Sequence, residues 1–135
     1  MDNARGTILL VEDHADLREA MTSLLEAFGY EVVTAADGGE ALDRLRRGIA
    51  PCLIVLDLEM PRKDGWKFRS EQLHDPKLAG IPTIVSSAEA NVKQKAALLG
   101  IHGYFEKRGG FDGLLDLVAR YSSPSGGRPL AAPPT

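Results

Sequence analysis

Two rhythms of apolar and polar positions run along this chain, and together they predict its elements. In the first, short apolar runs stop abruptly at polar residues: Thr7–Val11 (TILLV), Glu31–Ala35 (EVVTA), residues 52–56 (CLIVL), residues 82–86 (PTIVS) and Gly103–Glu106 (GYFE). Runs of this length, rich in β-branched residues, read as strands, and TILLV and CLIVL as strands buried on both faces. In the second rhythm, apolar residues recur three and four apart, as they do along one face of a helix. Leu17, Ala20, Met21, Leu24, Leu25 and Phe28 define a first helix, closed by Gly29. Asp37 followed by Glu40 has the form of a capping box, and opens a second helix that carries Ala41, Leu42 and Leu45 inward. A third helix, residues 66–74, has the weakest pattern: Trp66, Phe68 and Leu73 form no clean stripe before Asp75-Pro76 breaks it. Val92, Ala96 and Leu99 mark a fourth helix, and Phe111, Leu114, Leu115 and Val118 a fifth.

Strictly alternating strands and helices predict an α/β fold with a parallel sheet covered on both faces. Right-handed crossovers then favour a flavodoxin-like (βα)5 doubly wound arrangement with strand order 2-1-3-4-5. Residues 1–121 are expected to form this domain. Residues 122–135 (SSPSGGRPLAAPPT) lack the large apolar side chains that offset ordering entropy, and are expected to be a disordered tail.

Composition changes this picture little. Apolar residues are 44% and charged residues 26% of the chain, and the net charge of −3 offers no footprint for nucleic acid or an anionic membrane. The single cysteine, Cys52, reads as core packing; it can form no internal disulfide, which fits a reducing compartment. The start of the chain has no apolar signal region and no run reaches membrane-spanning length, so a cytoplasmic protein is expected. His14, His74 and His102 are too scattered for a metal site.

The chemistry gathers at the carboxyl ends of the predicted strands, where open α/β sheets place their ligands. Glu12 and Asp13 follow strand one, Asp57 ends strand three, Ser87 follows strand four and Lys107 follows strand five. Taken singly these residues suit blander roles: Asp57 a turn, Asp13 or Ser87 a helix cap, Lys107 a solvated charge. Together, three carboxylates repel one another unless a cation lies between them, and an all-oxygen set with open positions suits Mg²⁺. A hydroxyl and an ammonium on the far side of Asp57 can bind a tetrahedral anion. The set suggests phosphoryl transfer onto the Asp57 carboxylate.

Glu12-Asp13, Asp57 with Met60-Pro61 and Gly65, Ser87-Ala88, and Lys107 resemble the motif of response-regulator receiver domains, over roughly residues 7–121. The resemblance implies that Asp57 accepts phosphate from a histidine kinase. It implies that Asp13, Asp57 and the backbone carbonyl of Glu59 hold Mg²⁺, with Glu12 acting mainly through water. Ser87 and Lys107 would contact the phosphoryl group, and Tyr104 stands where the family has its switch aromatic. Residues 75–82 (DPKLAGIP) look more like stand-alone receivers than like those fused to DNA-binding domains. The implied output is a changed face on the fourth helix, fifth strand and last helix. That face would control a partner protein, or the phosphate would pass to a histidine phosphotransfer protein. Apart from self-phosphorylation and autodephosphorylation, no enzyme activity is expected.

Two positions depart from the family. Arg108-Gly109-Gly110 replaces the usual proline after the lysine, and Glu59 adds a carboxylate beside the site, free to reach a metal through water or to slow phosphate hydrolysis. The first departure leaves room for a docking module that no longer switches. A small Mg²⁺-dependent phosphohydrolase is a weaker alternative, because Asp57-Leu58-Glu59 lacks a second Asp two residues on and the chain has no cap domain. Flavin binding is weaker still, since the loop after strand one is acidic.

Overall fold

The computed structural model describes residues 5–60, 65–88, 91–101, 103–107 and 111–122. Strands and helices alternate: β1 (Thr7–Val11), α1 (Ala15–Ala27), β2 (Glu31–Ala35), α2 (Gly38–Arg46), β3 (Leu53–Asp57), α3 (Gly65–Leu73), β4 (Thr83–Ser87), α4 (Val92–Leu98), β5 (Gly103–Glu106) and α5 (Asp112–Ser122). All strand pairs are parallel and the order is β2-β1-β3-β4-β5, as expected.

Successive strand residues point to opposite faces, and the core divides accordingly. Leu9, Val11, Ile54, Leu56 and Val85 face the α2, α3 and α4 side, against Leu42, Leu45, Phe68 and Ala96. Ile8, Leu10, Leu53, Val55 and Ile84 face the α1 and α5 side, against Met21, Leu25, Leu114 and Val118. β3 is therefore buried along its whole length, Asp57 included. Its central place explains the unbroken apolar run in the sequence.

The helix ends follow local chemistry. Asp37 caps α2, its Oδ1 accepting the Glu40 N–H at 2.8 Å, while Glu40 Oε1 accepts the Ala36 N–H at 2.6 Å. α1 is capped by His14, not Asp13: His14 Nδ1 accepts the Leu17 N–H at 3.3 Å. Asp13 thus stays exposed and available to the site. Gly29 follows the α1 C-cap with φ of 97°, a left-handed turn that suits glycine. The predicted α1 stripe is narrower than its spacing suggests, because Ala20 and Phe28 lie exposed.

α3 explains its own weak pattern. Its inward face consists of Gly65, Phe68, Arg69 and Gln72, while Leu73 lies outside. Arg69 donates from Nη1 to Gln72 Oε1 (3.0 Å) and from Nε to Leu99 O (3.3 Å), so its charge is shared between an oxygen of α3 itself and one just past the end of α4. Gln72 Nε2 donates to Leu78 O and Ile81 O. These bonds satisfy polar groups that burial would otherwise penalise. Cys52 sits one residue before β3 rather than inside it, partly buried.

α5 runs through Ser122, one residue into the stretch expected to be a tail; the buried Ser122 hydroxyl bonds Tyr30 Oη at 3.3 Å. The rest of that stretch, residues 123–135, lies outside the described residues, as do Pro61, Asp64, His102 and Arg108-Gly109-Gly110. Among the described residues no helix is long and apolar enough to cross a membrane.

Candidate functional site

The carboxyl ends of β1, β3, β4 and β5 converge on one rim. The strand order requires this: β1 and β4 flank β3, so the residues just past β1 and at the tip of β4 lie on either side of Asp57. Asp57 is the last residue of β3 and only 1% exposed. Its Oδ1 accepts the Glu59 N–H at 3.1 Å and lies 3.2 Å from Lys107 Nζ.

Glu12, equally buried, pairs with the same ammonium, Glu12 Oε1 to Lys107 Nζ at 2.9 Å. The Glu12 backbone N–H continues the sheet ladder to Ala35 O, its Oε2 accepts the His14 N–H, and its carbonyl accepts Arg18 Nη1. One lysine, from the end of β5, therefore bridges two carboxylates brought by β1 and β3. Asp13 adds a third: one ligand atom each from Glu12, Asp13 and Asp57 lie within 4.8 Å of one another. These donors are all oxygen, two are buried and one is exposed, which suits a hard divalent cation reached from solvent.

Negative charge exceeds positive here. Burial, and next the Glu12 carboxylate, push the Asp57 carboxyl up to about 8, against the pull of Lys107 and the Glu59 N–H. Burial would depress the Lys107 ammonium, but the charges of Asp57 and Glu12 outweigh it and raise its pKa. With three carboxylates against one ammonium the ionised site lacks two positive charges, which a divalent cation would supply.

Ser87 and Glu59 complete the rim. Ser87 is the last residue of β4 rather than the first beyond it, and is fully buried. Its hydroxyl donates to Glu59 Oε2 at 2.5 Å. Glu59 also accepts the Ala88 N–H at 3.2 Å on Oε1, and Lys95 Nζ lies 3.3 Å from Oε2. Burial raises the Glu59 carboxyl, but the bonds from Ser87, Ala88 and Lys95 outweigh this and leave its pKa below its ordinary value. The Glu59 side chain therefore faces β4 and α4, and lies outside the group of three metal-competent carboxylates. Sequence spacing could not reveal this partner set, since 28 residues separate Glu59 from Ser87 and 36 separate it from Lys95. Tyr104 lies on β5, 39% exposed.

Gly65, the first residue of α3, has a steric role that its place in the motif does not disclose. A Cβ there would lie 2.6 Å from Asp57 O and 2.8 Å from Leu58 Cα. The helix packs directly on the backbone that carries Asp57.

Comparison with known proteins agrees with this geometry. Residues 8–119 match the family model of the response regulator receiver domain. The chain belongs to the response-regulator receiver family. It is 40% identical over 119 residues to a protein-glutamate methylesterase/protein-glutamine glutaminase of Anaeromyxobacter dehalogenans, covering 84% of this chain and 33% of that protein. It is 38% identical over 92 residues to a probable transcriptional regulator, ycf27, of Porphyra purpurea, covering 68% of this chain and 36% of the relative. The chain thus spans about a third of the length of these curated relatives.

Among solved structures it resembles the response regulator TrrA of Thermotoga maritima in complex with Mg²⁺-BeF, with TM-score 0.74 and 29% identity over 88% of this chain and 97% of that one. It also resembles the chemotaxis response regulator CheY4 of Vibrio cholerae, with TM-score 0.75 and 28% identity over 84% and 96% of the two chains. Membership places this receiver in two-component signalling.

Proposed function

We propose that this receiver accepts a phosphoryl group on Asp57 from a histidine kinase, in a Mg²⁺-dependent step, and acts as a phosphorylation switch. The observation that carries the reading is the Asp57 carboxylate at the tip of the central strand, with the Lys107 ammonium at 3.2 Å and the carboxylates of Glu12 and Asp13 beside it. In the transfer, an Asp57 oxygen forms a bond to phosphorus as the nitrogen–phosphorus bond of the kinase phosphohistidine breaks. The leaving imidazole keeps the electron pair and takes up a proton. Asp13, Asp57, the Glu59 carbonyl and, through water, Glu12 would hold Mg²⁺, which neutralises charge on the phosphoryl oxygens. The Mg²⁺-BeF complex of the TrrA relative supports that cofactor.

Lys107 provides a fixed positive charge and Ser87 a hydrogen-bond donor to the same oxygens. The phosphoryl group, carrying about −2 where the carboxylate carried a single charge, then biases α4, β5 and α5, with Tyr104 as the switch aromatic, toward a state that a partner protein reads. The same phosphate can pass on to a histidine phosphotransfer protein.

Backbone-amide NMR of the ¹⁵N-labelled protein with Mg²⁺ tests this switch. Adding acetyl phosphate is expected to shift Ser87, Ala88, Tyr104 and the α4 amides, and to leave Asp57→Ala unchanged. Shifts confined to the rim, or equal shifts in Asp57→Ala, would contradict it.

A further inference from the structure

Glu59 aims its carboxylate at the donors that a phosphoryl group on Asp57 would use. Its two oxygens are engaged separately: Oε2 by the Ser87 hydroxyl at 2.5 Å, Oε1 by the Ala88 N–H at 3.2 Å. A third donor, Lys95 Nζ of α4, lies 3.3 Å from Oε2. An anion with its oxygens spread between a hydroxyl and a backbone N–H is bound as one edge of a phosphoryl group would be. The contact is sheltered, since Ser87 is fully buried and the Glu59 and Lys95 side chains are 33% and 16% exposed. An ordinary surface ion pair would engage the lysine alone.

We propose that Glu59 is an internal competitor of the phosphoryl group: its carboxylate occupies the Ser87 and Ala88 donors in the unphosphorylated protein and ties them to α4 through Lys95. The inference rests on the reading of Asp57 as phosphoacceptor. A phosphoryl group that takes the Ser87 hydroxyl must displace the Glu59 carboxylate. That displacement breaks the ion pair to Lys95, so occupancy at Asp57 is communicated to α4 by loss of a contact as well as by gain of one. Glu59 acts here as a positioning residue, setting the threshold for the transfer without touching the phosphorus.

The test compares beryllofluoride binding to the wild type, Glu59→Gln and Glu59→Asp, followed by fluorescence of the single tryptophan, Trp66, and by ¹⁹F NMR. The Mg²⁺ affinity of each protein is measured first and beryllofluoride is titrated at saturating Mg²⁺, which separates effects on the metal. Glu59→Gln removes the competing charge and is expected to bind at least about fivefold tighter, the scale of one charge-assisted hydrogen bond. Glu59→Asp keeps the charge but is one methylene shorter and withdraws from Ser87; it is expected to show at least half of that gain in free energy. If Glu59→Asp stays at the wild-type value while Glu59→Gln tightens, the effect is general electrostatics and the competitor proposal is overturned. Unchanged or weaker binding by Glu59→Gln, with the wild type still forming the adduct, overturns it as well and leaves the Asp57 reading standing. Absence of any adduct in all three folded proteins overturns the Asp57 reading and this inference together.

Discussion

Asp57 carries a burden that its neighbours only partly relieve. It is a buried carboxylate with Glu12 beside it, and Lys107 is shared between the two. Its folded pKa of about 8 lies above the ordinary carboxylate value, which is about 4 in an unfolded chain. Between those values folding takes up a proton, so this group makes the metal-free protein less stable as pH rises from about 4 to 8, with the full cost above 8. The raised pKa of Lys107 works differently: its stabilisation is fully present below its unfolded value and is lost only in alkaline solution, outside this window. Asp57→Asn, which does not titrate, is therefore expected to exceed the wild type in chelator-treated solution by about 1–3 kcal/mol at pH 8, with the gap narrowing toward pH 5. Urea unfolding at the two pH values checks this, and a gap that does not change with pH would contradict it. The rim residues themselves were legible in the sequence because each follows an apolar strand run. The direction of Glu59 and the sharing of Lys107 were not, because both depend on contacts made across the sheet rather than along the chain.

At the scale of elements, α3 is where local pattern and tertiary role part company. Its inward face uses Arg69 and Gln72, whose buried hydrogen bonds to the end of α4 and to the segment before β4 replace apolar contacts. A stripe search looks for apolar residues and so misses a helix that buries satisfied polar ones. The strands were legible for the converse reason: β1 and β3 lie inside the sheet with both faces covered, so nearly every position is apolar. The start of α3 also bears on the site, since Gly65 packs against Asp57 O and Leu58 Cα. Gly65→Ala gains helix propensity of at most about 1 kcal/mol, yet forces backbone atoms apart. It is expected to lower stability by about 1–3 kcal/mol net. Denaturant melts check this; unchanged stability would mean that the start of α3 yields without resistance.

For the whole molecule, the doubly wound sheet makes the site possible. Two apolar layers, one on each face, hold β3 rigid, and the strand order 2-1-3-4-5 gathers residues from four strand ends on one rim. That topology was legible because the strand–helix alternation leaves few alternatives once crossovers are right-handed. The central claim is that this rim transfers a phosphoryl group onto Asp57, and intact-mass measurement tests it most directly. The protein is incubated with acetyl phosphate and Mg²⁺, beside an Asp57→Ala variant and a sample with the metal chelated. The account predicts one phosphoryl adduct on the wild type, absent from Asp57→Ala and strongly reduced without Mg²⁺. A folded wild type that takes no adduct, or an equal adduct on Asp57→Ala, would contradict it.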